Sequence, residues 1–157
     1  MKSYRIAVIA GDGIGKEVVP ASIDVLNLAA EHAGFRCEFT HLPWGCDYYL
    51  QHGRMLDDDG VDRLMKFDAI YLGAIGDPRV ADHISARELI LPLRQRLGQW
   101  VNLRPMRLLP GISSPLAGRG AADIDMICVR ENSEGEYFGI GGPRHPGTPH
   151  EEAAEAG

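Results

Sequence analysis

A short branched apolar run, Tyr4–Ala10 (YRIAVIA), is cut by Gly11-Asp12-Gly13-Ile14-Gly15 and followed by helical spacing from about Lys16 to Ala33, which Gly34 closes. A run this short and this rich in branched side chains reads as a parallel strand buried on both faces. Glycine just past the last helical residue is a common stop, because it enters the left-handed conformation at no steric cost. Strand, glycine turn and helix in that order commit the first part of the chain to an α/β fold. The turn itself has two readings. One is a pyrophosphate cradle of the G-x-G-x-x-G kind, with Glu31 where a ribose-binding acid would fall, although the third glycine would have to be Lys16. The other is that the glycines let the turn fold tightly and the helix pack close. A plain nucleotide-binding domain of this kind predicts NAD affinity that is lost on substituting Gly13.

Further along, Arg36–Leu42 (RCEFTHL) alternates as a second strand, and Asp47–His52 and Asp57–Lys66 are helical in part. The acids Asp57-Asp58-Asp59 suit a helix start, where carboxylates meet the positive end of the dipole. On a helix they fan over different faces, which argues against a shared metal. Ala69–Gly73 (AIYLG) is another short buried strand. The loop after it, Gly73-Ala74-Ile75-Gly76-Asp77-Pro78, leaves the strand at its C-terminal end, where open parallel sheets form their ligand crevice. Asp82-His83-Ile84-Ser85 caps the next helix, and a lone loop histidine such as His83 suits a cap partner or a solvated side chain better than a catalyst. Pro105–Gly120 is a long connection, Ile124–Val129 a strand with Arg130 at its end, and residues 131–138 a polar turn. From Gly139 apolar periodicity is lost, and His145 and His150 lack a third ligand at metal spacing.

The stretch Glu88–Pro105 (ELILPLRQRLGQWVNLRP) carries the densest chemistry. Leu89, Leu93, Arg96 and Leu97 share one helical face, with Arg94 on another, since two residues on a helix turn by ~200°. After Gly98 the period becomes two: Trp100, Asn102 and Arg104 lie on one side of a strand, Val101 and Leu103 on the other. Helix passing into strand would let Arg94 and Arg104 aim at a common point. An arginine fork donates two parallel hydrogen bonds and stays charged, so several converging forks suit a small di- or tricarboxylate. The competing reading is ordinary surface ion pairing. In a chain of net charge −6 the set of arginines favours a site.

The acidic balance argues against a general nucleic-acid binder. At 157 residues, 45% hydrophobic and 24% charged, the chain has room for a real core. Three cysteines (Cys37, Cys46, Cys128), with no CxxC pair, fit a reduced cytoplasm. No run approaches the ~18 apolar residues of a membrane span, and Met1-Lys2-Ser3-Tyr4-Arg5 leads into a strand with no signal-peptide pattern.

Gly11-Asp12-Gly13-Ile14-Gly15 with Glu17, then Asn102-Leu103-Arg104-Pro105, then Val129-Arg130-Glu131-Asn132 with Gly135 and Tyr137, resemble the β-decarboxylating dehydrogenases, which include isocitrate, isopropylmalate and tartrate/D-malate dehydrogenases. The tartrate/D-malate branch is resembled in Asp47-Tyr48-Tyr49 with His52-Gly53, in Asp82-His83-Ile84-Ser85, in Tyr137 after Glu134-Gly135-Glu136, and in Gly147-Thr148 with His150-Glu151. The resemblance covers residues 4–151 and implies an isopropylmalate dehydrogenase-like α/β fold, incomplete here. Residues 1–99 would be the N-terminal part of the large domain. Residues 100–157 would start the second, substrate and dimer, domain, with an irregular tail from about 139.

The resemblance further implies that Arg94, Arg104 and Arg130 hold the substrate carboxylates, and that Tyr137 helps protonate the enolate left by decarboxylation. Ile90 and Leu91 would read the substrate's third substituent, their apolar character disfavouring isocitrate. Gly73, Ala74, Ile75 and Gly76 would lie near the nicotinamide ring of NAD. Because the family holds NAD on a fold unlike the Rossmann type, the cradle reading of Gly11–Gly15 is set aside. Mg2+ or Mn2+ is implied as the group polarising the substrate oxygen, with the metal-binding aspartates, the catalytic lysine and the adenosine loop all falling beyond residue 157. A homodimer is implied as well. Ala86-Arg87-Glu88 departs from the branch's apolar, Trp-containing segment and adds charge beside the site. The expected function is thus the N-terminal portion of an NAD- and metal-dependent dehydrogenase for D-malate/tartrate-type 2-hydroxy dicarboxylates, inactive or very weak alone, with β-decarboxylation for some substrates. The alternative is a truncated, non-catalytic dicarboxylate-binding module, or a subunit needing a separate C-terminal chain.

Overall fold

The computed structural model describes residues 1–137 and 140–156. The chain forms two compact units, Met1–Leu97 and the chain from Gly98 onward. In the first, β1 (Lys2–Gly11) runs between β2 (Phe35–His41) and β3 (Ala69–Ala74), parallel to both, giving the order β2-β1-β3. The central strand is where the sequence is most apolar: Ala7, Val8 and Ile9 are fully buried. Burial of consecutive residues means that both faces are covered. α1 (Gly15–Ala33) touches all three strands and buries Val19 and Ala30. Ala7 and Ile9 belong to a core shared with Trp44, Cys46, Met55, Val61, Leu64, Leu89 and Leu93, drawn from α2 (Cys46–His52), α3 (Gly60–Leu64), α5 (Leu91–Arg96) and the segments between them.

In the acid run before α3, Asp57 gathers polar contacts at the edge of this core. Asp57 accepts from the Tyr48 hydroxyl, from Arg63 at 2.6 Å and from the Trp44 indole at 3.4 Å, so the buried indole nitrogen has an acceptor.

The segment expected to cap a helix is helical itself. α4 (Asp82–Ser85) has no side-chain cap and continues through a π turn, Ala86–Ile90, into α5. Pro92 is the physical reason: it lacks an N–H for the Glu88 carbonyl, and its ring crowds that carbonyl, so the ladder widens. Leu89 and Leu93 face the core, and Leu97 packs against it, while Arg96 reaches Asp62 at 2.6 Å on the surface.

In the second unit, β4 (Val101–Arg107) and β5 (Asp125–Glu131) pair antiparallel, with Asn102 opposite Arg130 and Arg104 opposite Cys128. Arg130 therefore lies inside the strand rather than at its end. A 3-10 turn, Gly135–Tyr137, follows. The tail expected to be irregular from about residue 139 instead holds a second hairpin, β6 (Ile140–Arg144) with β7 (Glu152–Ala156). A ladder of this kind needs only backbone donors and acceptors; in a sequence of glycine, proline, alanine and acids it leaves no apolar period to read. Among the described residues no helix is long and apolar enough to cross a membrane.

Candidate functional site

At the C-terminal ends of β1 and β3 the strand order reverses, since β1 leads to β2 on one side and β3 lies on the other. Open parallel sheets bind ligands at this point. Two backbones meet there more closely than side chains permit. A Cβ on Gly15 would stand 2.1 Å from the Ala10 carbonyl oxygen, and one on Gly73 would stand 2.2 Å from the same atom. This is the tight-packing role weighed for the glycines of the turn.

Asp12, buried inside that turn, joins the two strand ends. Its Oδ1 accepts from the Cys46 amide at 2.9 Å and its Oδ2 from the Gly76 amide at 3.0 Å, while its own amide donates to the Ala74 carbonyl at 2.7 Å. The Gly73-Ala74-Ile75-Gly76 loop is thus pinned from beneath by a carboxylate. Burial, and then the Asp12 carboxylate, push the Cys46 thiol up to about 12, so it packs as a neutral side chain. A cavity of about 300 Å3 opens on the β2 side of Asp12, bordered by Lys16, Trp44, Asp47 and Tyr48.

On the surface the same loop is latched by charge. Lys16 meets Asp47 at 2.5 Å, Arg79 meets Asp47 at 2.6 Å, and Arg79 also holds Asp77 at 2.7 Å. Hydrogen bonds from Arg79 hold the Asp77 carboxyl at about 2, below its ordinary 3.8. Hydrogen bonds from Lys16 and Arg79 lower Asp47 as well. A depressed carboxylate stabilises the fold fully above its ordinary value and loses that contribution as pH falls through the depressed one. The Arg79 Nε–H resonance is therefore expected to stay constant down to about pH 4 and to move as pH approaches about 2. A midpoint at or above the ordinary carboxylate value would remove the latch.

Ile90 and Leu91 are half-buried where the π turn meets α5, and Arg94 is half-buried one turn on; Arg87 and Glu88 are exposed. These belong to the first unit, Arg104 and Arg130 to the second. Within the second unit the structure brings three expected residues together. Residues directly opposite on an antiparallel pair share a face, so Asn102, Arg104, Cys128 and Arg130 project from one side of the hairpin. The Arg130 guanidinium lies 5.2 Å from the centre of the Tyr137 ring and donates to the Asn132 side chain at 3.1 Å. Its Nε is the one buried side-chain nitrogen or oxygen without a partner among the described residues. The opposite face of the hairpin is apolar and open: Leu103, Ile127 and Val129 are each about two-thirds exposed.

The arginine face offers donors of the kind that suit a carboxylate, and the β1/β3 ends lie where open α/β sheets form a crevice. The isocitrate/isopropylmalate dehydrogenase family matches residues 5–156, and the chain belongs to that family. It is 53% identical over 153 residues to the D-malate dehydrogenase [decarboxylating] of Escherichia coli K12, an alignment covering 96% of this chain and 42% of that one. It is 50% identical over 151 residues to the tartrate dehydrogenase/decarboxylase of Pseudomonas putida, covering 95% and 41%. Among solved structures, isocitrate dehydrogenase from Methylococcus capsulatus superposes with a TM-score of 0.75 at 25% identity, covering 98% of this chain and 42% of that one. A β-decarboxylating dehydrogenase from Thermococcus kodakarensis gives 0.60 at 34%, covering 96% and 40%. The chain thus spans less than half the length of these relatives, and its fold is the isocitrate/isopropylmalate dehydrogenase type in part.

Two residues carry more than their sequence suggested. Asp12 sits between glycines and reads as a turn former, and nothing local announces its reach to residues 46 and 76. Asn132 ends a recognisable motif, but its contacts depend on strand pairing that the motif does not encode. Among the described residues no three His, Cys, Asp or Glu side chains are placed to hold a metal ion.

Proposed function

We propose that this chain supplies the dicarboxylate-binding arginines and the nicotinamide-side loop of a dehydrogenase acting on D-malate/tartrate-type 2-hydroxy acids. The observation that carries the reading is the buried, unpartnered Arg130 Nε–H on the hairpin face shared with Arg104. Buried donors are nearly always satisfied, and a side-on guanidinium edge fits a carboxylate. The names of the relatives support the substrate class.

In this reading Arg104 and Arg130 grip one carboxylate from a common face. The Tyr137 ring lies beside the guanidinium, and its hydroxyl would serve the bound acid for proton transfer. Ile90 and Leu91 exclude a further carboxylate from their surroundings, since an acid group unpaired among apolar side chains is costly. Arg94, in the first unit, offers a further guanidinium to a carboxylate. The loop 73–76 fits a flat ring: it lies at the β1/β3 switch point, and Gly76 has open space where a Cβ would stand. The loop 73–76 would hold the nicotinamide side of NAD, which would supply a hydride acceptor there, and Asp12 holds the loop in place. Among the described residues no three side chains are placed to hold a divalent metal, so no step here runs through one, and we expect no turnover from the 157-residue chain alone.

Calorimetry on the chain tests the reading. D-malate is expected to bind without added metal or NAD, and Arg130→Ala to weaken it at least ~30-fold, the worth of one or two hydrogen bonds to a charged group. Equal affinity in the variant sinks the proposal for Arg130. NADH formation from D-malate by the unaltered chain with Mn2+ sinks the division of labour.

A further inference from the structure

We propose that Asn132 is a positioning residue: a neutral acceptor that orients the Arg130 guanidinium without neutralising it, leaving the Nε–H edge for a ligand carboxylate. This rests on the dicarboxylate reading of Arg130 above. Asn132 is polar yet only 5% exposed, and both ends of its amide are engaged. Oδ1 accepts from Arg130 at 3.1 Å and from Asn102 at 3.3 Å, and Nδ2 donates to the Gln99 carbonyl at 2.9 Å. One side chain therefore ties the approach to β4, β4 itself and the end of β5 around a single guanidinium.

The choice of amide over carboxylate matters. An aspartate here would turn the hydrogen bond to the guanidinium into a full ion pair and would cancel the charge meant for the ligand. The amide gives direction and leaves the charge intact. With the Tyr137 ring beside the guanidinium and Asn132 on one Nη, the orientation of the planar group is defined from two sides. The Nε–H then points where no acceptor stands among the described residues.

The test uses the whole 157-residue chain and two readouts. Without ligand, exchange between the two Arg130 Nη resonances, assigned with Arg130→Lys, reports rotation about the Nε–Cζ bond. Asn132→Ala is expected to speed that rotation and Asn132→Asp to slow it. In titrations with D-malate, Asn132→Ala is expected to cost about tenfold in affinity, the worth of one hydrogen bond to a charged group. Asn132→Asp is expected to cost more, because the introduced carboxylate occupies the fork. Unchanged rotation in Asn132→Ala, or Asn132→Asp binding D-malate as the unaltered chain does, overturns the proposal. Asn132→Asp keeps the shape and an acceptor, so it decides the matter if the alanine variant fails to fold. Should D-malate leave the Arg130 resonances of the unaltered chain unmoved, the dicarboxylate reading falls, and with it the ligand half of this inference. The rotation measurement still decides whether Asn132 holds the arginine.

Discussion

Asp12→Ala is expected to lower the stability of the 157-residue chain by about 2 kcal/mol, because it strands the buried Cys46 amide and releases the part-buried Gly76 amide at once. The Cys46 and Gly76 amides lie on separate segments, and the Asp12 side chain accepts from both. Losing one such buried partner costs on the order of 1–3 kcal/mol. Asp12→Asn is the informative companion. Its carbonyl oxygen can still accept from one amide, while its NH2 faces the other donor, so its cost should fall near half. Urea denaturation followed by far-UV circular dichroism reads both. A loss under about 1 kcal/mol for the alanine variant would show that water replaces the carboxylate, and that the loop 73–76 is not held from beneath.

The second large effect concerns backbone approach. Gly73→Val is expected to cost more than about 3 kcal/mol, above the usual penalty for overpacking. Its first added carbon meets the Ala10 carbonyl oxygen at 2.2 Å and the Val19 side chain at 2.8 Å. Carbonyl oxygens in a central strand cannot rotate away as a side-chain end can. Gly34→Ala provides the contrast: its Cβ meets nothing within 4 Å, but the residue has φ +76°, so only left-handed strain of about 1 kcal/mol is expected. Equal denaturation midpoints for the two variants would mean that β1 and β3 separate easily, against the register of Ile9 with Leu72 and Gly11 with Ala74.

Much of the first unit was legible because its strands are short branched runs with glycine at their ends, and because α1 ends on a glycine with φ +76°. Pairing order was not, since nothing in Tyr4–Ala10 says that β2 and β3 lie on either side of it. The second hairpin was missed for a related reason: its glycines, proline, alanines and acids impose no apolar period on the sequence. In the site, residue type was the readable signal. Arg104, Arg130 and Tyr137 are chemically conspicuous, and strand alternation placed Arg104 beside Asn102. Asp12 and Asn132 act by reaching backbone and side chains that are distant in sequence, and such contacts leave no local trace. Arg94 was legible as an arginine on its own helical face; the common point imagined for it with Arg104 depended on how two separate units sit.

The π turn at Ala86–Ile90 has a meaning for how this segment can vary. A π turn is an α-helix holding one surplus residue, so removing a residue there restores the regular ladder and leaves the phase of the helix on either side unchanged. Leu89 or its replacement, and Leu93 beyond it, would still face the core. The stretch carrying Arg87, Glu88, Ile90 and Leu91 can therefore lose a position, and with it a charge or an apolar group, while the scaffold that presents it stays in register.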